Sequence, residues 1–584
     1  KNGTWYINGK PEFYLGVWLY NRSHTDWNGK KSNPLGIKHV AYNEPPSAEL
    51  FRKMGFNSSQ ISAAPKLQPM AVNGVPLPKN WKQEEKRNLK FFAGFKDVPM
   101  VLDFAFGYHN SYPQKKRLEL DQCLGSWHQF FPFCPEHPEG DRYYTDFFLG
   151  GTRMAMRAKT NVFLYELFNE SSYNCECRYN AADFAGRMQK KYTAISAANA
   201  KWGTHFPSFG DIARQTNFAQ FPGLWADWCK FIGVRYGEIL EKYKNVIRSA
   251  DKRSNVYFTE QASGTPPGRI GFDYTIIADT LDALALEGGW RYGFNANFSA
   301  ANEAEAVVAT DESRHFFNCD FYQGLVQGKK PIVNNEHYCS RIENNVRVPS
   351  KREDMITSLW FEILHGVSSN FTYAWDKRSW EWKTFEQAKA NVLRPSYKSS
   401  SMLNPYNWKP ETLDCFKIFR SELDPYKDKI LPFPRVKAPT VAVFFSYPTQ
   451  RMSWHIKLNF IKELSHWYTR LLHAHYPVRV VFERDLEKLG SEVEALIFPV
   501  SQFVNPDTIR AAEKFRKRGG VVIADTRSFQ TDEYGKKLGR VPDFQRAATP
   551  EEVIALLDKA NVTRYARLIP ESGKAFTASD VQII

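Results

Sequence analysis

Two carboxylates stand out by where they fall. Glu170 ends the run Val162–Glu170 (VFLYELFNE), directly after Asn169, and Glu336 lies within Pro331–Tyr338 (PIVNNEHY). Each follows a short apolar stretch that reads as a strand buried on both faces. They are 336 − 170 = 166 positions apart. Two carboxyl groups facing one pocket can break a glycosidic bond: one protonates the leaving oxygen while the other attacks the anomeric carbon or activates water. Close carboxylates also raise one another's proton affinity, which helps one stay protonated as the acid. Asn169, beside Glu170, can hydrogen-bond a sugar 2-OH, a contact that strengthens as an oxocarbenium ion develops.

This chemistry needs elements that bring position 170 to position 336, and the chain supplies a repeating pattern. Strand-like runs fall at Phe13–Tyr20, Asn57–Ser62, Pro99–Gly107, Val162–Glu170, Asn255–Gln261, Ala283–Gly289, Pro331–Tyr338 and Ser369–Asp376. Asn8-Gly9, between aromatic-rich segments, predicts a hairpin ahead of the first run. Helical stretches lie between the runs: Ser47–Met54, Trp81–Phe95, Tyr143–Lys159, Trp225–Ala250 and Arg352–His365. Residues 171–220 read as an irregular insertion. Eight strands alternating with helices predict an α/β fold, a (β/α)8 TIM barrel over residues 1–430 with its strand tips converging on one face.

From about Pro439 the texture changes. Thr440–Phe445, Val478–Glu483, Ala495–Val500 and Val521–Asp525 alternate with helical Leu458–Ala474 and Pro506–Arg518. That pattern predicts an open, flavodoxin-like α/β domain over 439–560. Residues 561–584 read as the start of a small β element. No GxGxxG follows Thr440–Phe445 and no Cys occurs after Cys415, so the second domain has neither a phosphate loop nor a thiol nucleophile.

Composition narrows the classes further. At 584 residues the chain exceeds what one core supports, in line with two or three domains. No apolar run reaches the ~18–20 residues of a membrane-spanning helix, so no membrane partner is expected. The 16 Trp and 28 Tyr fit either a large core or a cleft whose rings stack on sugar faces. The net charge of +15 raises an anionic partner. Yet the basic residues are spread out, with only short runs such as Lys115-Lys116-Arg117, so no nucleic acid is expected while a polyanionic glycan stays open. Eight Cys in a chain this long do not make a disulfide scaffold. The start at Lys1, without Met or a signal-like segment, fits a processed or a trimmed chain. Localisation stays open, with a lean to the periplasm or secretion.

The strand-four Asn-Glu and the strand-seven Glu resemble clan A of the retaining glycoside hydrolases over residues 1 to about 430. With the second domain, the layout resembles family 42 β-galactosidases and their trimerisation domain; family 164 β-mannosidases look similar. The resemblance implies Glu170 as acid/base, Glu336 as nucleophile, carboxyls ~5–5.5 Å apart and retention of configuration. It implies a β-linked hexoside as carbohydrate substrate, with an exo-acting β-galactosidase first. A β-mannosidase or an endo-acting hydrolase comes second, and a non-catalytic carbohydrate-binding barrel forms a separate class. A homo-oligomer, as a trimer, is implied too, and no cofactor.

Trp375 resembles the aromatic platform under the sugar, while Glu287, Trp290, Asp103, Tyr108 and His109 are candidates to contact hydroxyls or line the cleft. His337 and Tyr338 follow the nucleophile and can tune it; Asn21 and Arg22 are weaker candidates. Cys175-Glu176-Cys177 begins five residues after the acid/base. Some family 42 relatives carry a cysteine zinc cluster in this region, so Cys123, Cys134, Cys175 and Cys177 are candidates for a closed structural zinc site, with disulfides as the alternative.

Overall fold

Eight short runs pair side by side as parallel strands in the structure, a computed structural model. It describes residues 3–19, 48–62, 81–104, 134–169, 173–215, 217–261, 273–288, 312–338, 340–343, 346–349, 351–375, 414–431 and 439–566. The strands are β1 (Tyr14–Leu19), β2 (Ser58–Ser62), β3 (Met100–Asp103), β4 (Val162–Glu166), β5 (Tyr257–Thr259), β6 (Leu284–Gly288), β7 (Ile332–Tyr338) and β8 (Ser369–Trp375). Around the sheet they run β5-β4-β3-β2-β1-β8-β7-β6. The circle closes between β5 and β6, where Gln261 bridges Ala285 and the amides of Asp282 and Ala283 donate to Phe258 O. This is a (β/α)8 barrel.

Side-chain alternation sorts the two faces of each strand. Leu15, Val17, Leu19, Leu102, Tyr165, Leu284, Leu286 and Ile332 join the large outer core beneath the helices. Tyr14, Val101, Leu164, Val333 and Phe371 form a separate inner cluster with Trp18, Phe163 and Ala283. Gly16 makes room inside: a Cβ there would stand 2.5 Å from the Phe371 ring and 2.7 Å from Ser58 O. Overpacking of this kind costs about 1–3 kcal/mol. The hairpin of Trp5–Ile7 and Lys10–Glu12 turns through Asn8 and Gly9, both at positive φ. It sets Trp5 against Phe163, Tyr257 and Tyr14, sealing the N-terminal end of the barrel.

The outer helices include α1 (Ala48–Lys53), α2 (Trp81–Ala93), α3 (Pro138–Arg157), α4 (Pro222–Ala250), α5 (Tyr274–Thr280), α6 (Glu312–Val326) and α7 (Arg352–Leu364). α3 starts five residues earlier than the periodicity predicts. Pro138 occupies its first turn and the His137 ring accepts from Glu139 N as the cap. The expected irregular insertion is also helical, with Arg178–Tyr192, Ile195–Trp202 and Phe209–Ile212. Ala181, Phe184, Ala185 and Met188 are buried there at helical spacing. β3 and β4 end at Asp103 and Glu166, short of the expected Gly107 and Glu170.

The second domain is a five-stranded parallel sheet, β9 (Val441–Phe444), β10 (Val478–Val481), β11 (Ala495–Phe498), β12 (Val521–Asp525) and β13 (Gln545–Ala547), in the order β10-β9-β11-β12-β13. That 2-1-3-4-5 winding is flavodoxin-like. β13 and the helix Pro550–Lys559 behind it lie beyond the four strands that sequence alone predicts. The sheet docks on the barrel's outer helices. Phe321 of α6 packs its ring on Phe445 and Phe482, and Arg484 bonds to Asp279, Thr275 O and Leu325 O. Most of the small β element expected over 561–584, residues 567–584, lies outside the described residues.

Candidate active site

The inner face of the barrel changes character along its axis. Above the apolar layer sits a polar one, contributed by Gln60 of β2, Asp103 of β3, Glu166 of β4 and Asn335 of β7. Higher still come Asn169, just past β4, and Glu287 and Glu336, which are register partners on β6 and β7. The exposures separate rim from floor. Asn169, Glu287 and Glu336 keep 5%, 4% and 6%, whereas Asp103 and Glu166 keep none. A ligand entering from the strand tips meets the rim first.

A one-residue bulge in β7 aims Glu336 into the barrel. Leu286 pairs with Asn334, but Glu287 pairs with Glu336, so Asn335 is extra. The pairing with β8 slips at the same place, from Asn370↔Asn334 to Thr372↔His337. Two consecutive side chains, Asn335 and Glu336, therefore both point inward, which a regular strand forbids. Four hydrogen bonds fix the bulge. Trp18 Nε1 donates to Asn335 O (2.6 Å) and Asn335 Nδ2 to Glu166 Oε2 (2.7 Å). Glu336 N donates to Asn334 Oδ1 (3.2 Å), and Asn334 Nδ2 to Glu362 Oε1 (2.7 Å). Glu362, buried on α7, also accepts from Asn370 Nδ2 (2.6 Å) and lies 3.0 Å from His315 Nε2.

Across the mouth, Asn169 Nδ2 donates to Glu336 Oε1 at 3.0 Å. Gln261 Nε2 donates to Glu287 Oε2 (3.1 Å), and Tyr236 OH to Glu260 Oε1 (2.9 Å). Glu166 receives Gln60 Nε2 as well as Asn335, both on Oε2. Burial raises its carboxyl well above the usual range, helped by Asp103, Glu336 and Glu260 and opposed by a hydrogen bond from Asn169.

Of the residues expected at the site, Asn169, Asp103, Glu287 and Glu336 meet inside the barrel, Asp103 on its floor rather than its rim. His337 turns outward: its Nε2 lies 2.9 Å from Ser358 Oγ on α7, and burial pushes it down to about 4. It is a packed neighbour of the bulge, on the face opposite Glu336. Trp375 and Tyr338 end β8 and β7, with side chains outside the described residues. Glu170, Trp290, His109, Tyr108, Asn21, Arg22 and Cys123 also lie outside them. Sequence reasoning missed Gln60, Glu166, Glu260, Gln261, Asn334, Asn335 and Glu362. The signal was a charge or amide interrupting an apolar strand, and in β7 four polar residues in a row.

Beside the mouth, Cys134, Cys175 and Cys177 gather their sulfurs, with Cys134 Sγ 3.5 Å from Cys175 Sγ and 3.7 Å from Cys177 Sγ. No disulfide joins the described cysteines. Tetrahedral zinc with Zn–S of about 2.3 Å places sulfurs roughly 3.8 Å apart, so these three positions fit three corners of such a site. The cluster ties the segment before α3 to the segment after β4. Tyr173 OH, donating to Glu136, and Arg235, bonded to Glu136, brace the same junction.

A family model described as β-galactosidase, glycoside hydrolase family 42, matches residues 132–406. The chain is a glycoside hydrolase resembling family 42. The matched region runs from just before α3 through β8 and contains both Asn169 and Glu336. Among solved structures, the hydrolase is similar to an exo-carrageenase of family 42 from Bacteroides ovatus, with a TM-score of 0.67 and 17% identity over 95% of this chain and 71% of the other. It is similar to a β-galactosidase from Bacillus circulans sp. alkalophilus, at 0.65 and 14% over 91% and 74%. An exo-β-1,4-mannosidase from Opitutaceae bacterium strain TAV5 is more distant, at 0.50 and 13% over 92% and 80%. These likenesses bear out the barrel with its appended α/β sheet. No match was found among curated proteins. The resemblance to family 164 draws no support from these comparisons.

Proposed function

We propose that this hydrolase is a retaining, exo-acting β-galactosidase working by double displacement. The observation that supports it is the Asn169–Glu336 hydrogen bond, which joins the end of β4 to β7 at one mouth. Glu170 is the next residue of the chain after Asn169. In this reading Glu170 protonates the glycosidic oxygen as Glu336 attacks the anomeric carbon, giving a covalent glycosyl-enzyme. Water, deprotonated by Glu170, then displaces Glu336 with net retention. Asn169 exchanges its bond to Glu336 for the sugar 2-OH, Glu287 accepts from another hydroxyl, and Trp375 lies under the ring.

The test is hydrolysis of nitrophenyl β-glycosides by wild type, Glu170→Ala and Glu336→Ala. Azide should restore Glu336→Ala with inverted product; equal activity of all three proteins would sink the assignment. Mannosides run beside galactosides decide the sugar. A binding barrel without catalysis predicts no turnover on any of them.

Net charge favours a second reading of the substrate, an anionic β-galactan. Lys and Arg exceed Asp and Glu by 78 − 63 = 15, and one similar structure is named an exo-carrageenase. Hydrolysis of sulfated but not neutral galacto-oligosaccharides would establish this reading; the reverse preference would remove it.

Two structural roles complete the proposal. Cys134, Cys175 and Cys177, with Cys123, hold a structural zinc that fixes the loops flanking the mouth. The flavodoxin-like domain supports a trimer, which light scattering tests directly.

A further inference from the structure

We propose that Glu166 is a positioning residue that works as a neutral acid, its proton held inside the barrel directly below the candidate nucleophile. The inference rests on the reading of Glu336 as nucleophile. The geometry comes first. Glu166 is wholly buried, and two amide donors, Gln60 Nε2 at 2.9 Å and Asn335 Nδ2 at 2.7 Å, converge on the same oxygen, Oε2. Oε1 has no hydrogen-bond partner among the described residues. An ionised carboxylate has two equivalent oxygens and, when buried, gathers donors on both. A protonated one has a carbonyl oxygen that accepts and a hydroxyl that donates, and the lopsided donors at Glu166 match that form.

The surrounding charges agree. The groups acting on Glu166 are the carboxyls of Asp103 from β3, Glu260 from beyond β5 and Glu336 from β7, which favour the proton, and the Asn169 amide past β4, which opposes it. None is a cation, and the three carboxyls can each accept a proton. No salt bridge to Glu166 occurs among the described residues. A second negative charge in this layer would sit unpaired in a low dielectric beside Glu336, whose own charge is the one the chemistry needs.

The consequence is positional as well as electrostatic. Through Asn335, the extra residue of the bulge, Glu166 holds the turn that aims Glu336 inward. Its neutrality spares Glu336 a repulsion that would raise the pH at which the nucleophile ionises. Gln at this position would keep the carbonyl acceptor for both amides and carry no charge.

The first measurement is infrared and does not depend on turnover. At neutral pH, the difference spectrum of wild type minus Glu166→Gln should contain the carbonyl band of a buried protonated carboxylic acid. A difference showing only a carboxylate band would overturn the proposal. The second is the pH profile of kcat/KM. Glu166→Leu should lower kcat by about 10²-fold, the scale of a misplaced reacting group, with KM little moved. Glu166→Gln should recover most of that loss and leave the acidic limb where wild type has it. A limb displaced to lower pH in Glu166→Gln would mean that a negative charge had been removed, and the proposal would fall. If Glu336→Ala remains active, the nucleophile reading fails, yet the infrared difference still decides whether Glu166 holds a proton.

Discussion

Asn169 Nδ2 and Glu336 Oε1 stand 3.0 Å apart across the mouth of the barrel, joining the end of β4 to the bulge of β7. The bond has two uses. Without sugar it satisfies a nearly buried carboxylate; in the proposed mechanism the same amide turns to the sugar 2-OH. A hydrogen bond to a charged group contributes about 1.5–3 kcal/mol. Asn169→Ala should therefore reduce kcat/KM by roughly 10–10²-fold. The informative comparison uses a 2-deoxy galactoside, on which the mutation should cost much less because the contact is already missing. An equal loss on both substrates would show that Asn169 only orients Glu336 and never reaches the sugar.

Glu166 links the site to stability. A carboxyl kept protonated by burial in the folded state, but ionised in the unfolded chain, makes the fold lose stability as pH rises. Below the unfolded value near 4.3 both states hold the proton and the slope vanishes. Above it, the unfolded chain has released a proton that the folded barrel keeps. Each pH unit then costs about 1.4 kcal/mol until the folded value is passed. Denaturant unfolding from pH 5 upward should show Glu166→Gln gaining on wild type at about that rate. Parallel stability curves for the two proteins would refute a held proton.

Behind the bulge, Glu362 gathers Asn334, Asn370 and His315. Removing the shared acceptor takes the Glu362 bond from Asn370 Nδ2 and leaves Asn334 Nδ2 only Gly288 O, so Glu362→Leu should destabilise the barrel by about 3–5 kcal/mol. Glu362→Gln keeps an acceptor and should lose less. Because Asn334 Oδ1 receives the Glu336 amide, activity measured well below the melting transition should drop in the Leu variant through kcat. Wild-type kcat in a folded Glu362→Leu protein would show that the network only packs the helix.

Much of this architecture was legible because it rests on periodicity. The barrel strands include short apolar runs such as Val101-Leu102 and Leu284–Leu286, buried on both faces by sheet and helix. The place of Glu336 at the mouth was legible because its segment opens with the apolar run Ile332-Val333 and then turns polar. The polar floor was not. Gln60, Glu166 and Asn335 are 106 and 169 positions apart along the chain as measured from Glu166. Only closure of the sheet brings them together, and no local pattern records closure. The bulge was equally hidden, since an extra residue leaves no mark in composition. The insertion's helices were missed for another reason: the apolar spacing at Ala181, Phe184, Ala185 and Met188 was present, but Asn, Gly and Lys around it masked the period.

The three gathered thiols make the last expectation. Sulfurs 3.5 and 3.7 Å apart are in contact, near the separation of two corners of a tetrahedral zinc site, and too far for a disulfide, whose sulfurs lie about 2.05 Å apart. If they hold zinc together with Cys123, protein prepared without chelator should contain about one zinc per chain. Cys175→Ser should bind less and melt at lower temperature. The melting loss should be concentrated in the segments the cluster joins, so hydrogen exchange should rise first around Tyr173 and Glu136, whose hydrogen bond sits beside it. Azide rescue of Glu336→Ala should persist in a Cys175→Ser background, because a structural site supports the mouth without entering the chemistry. Metal-free protein with reactive thiols and an unchanged melting curve under chelator would return the cluster to ordinary core packing.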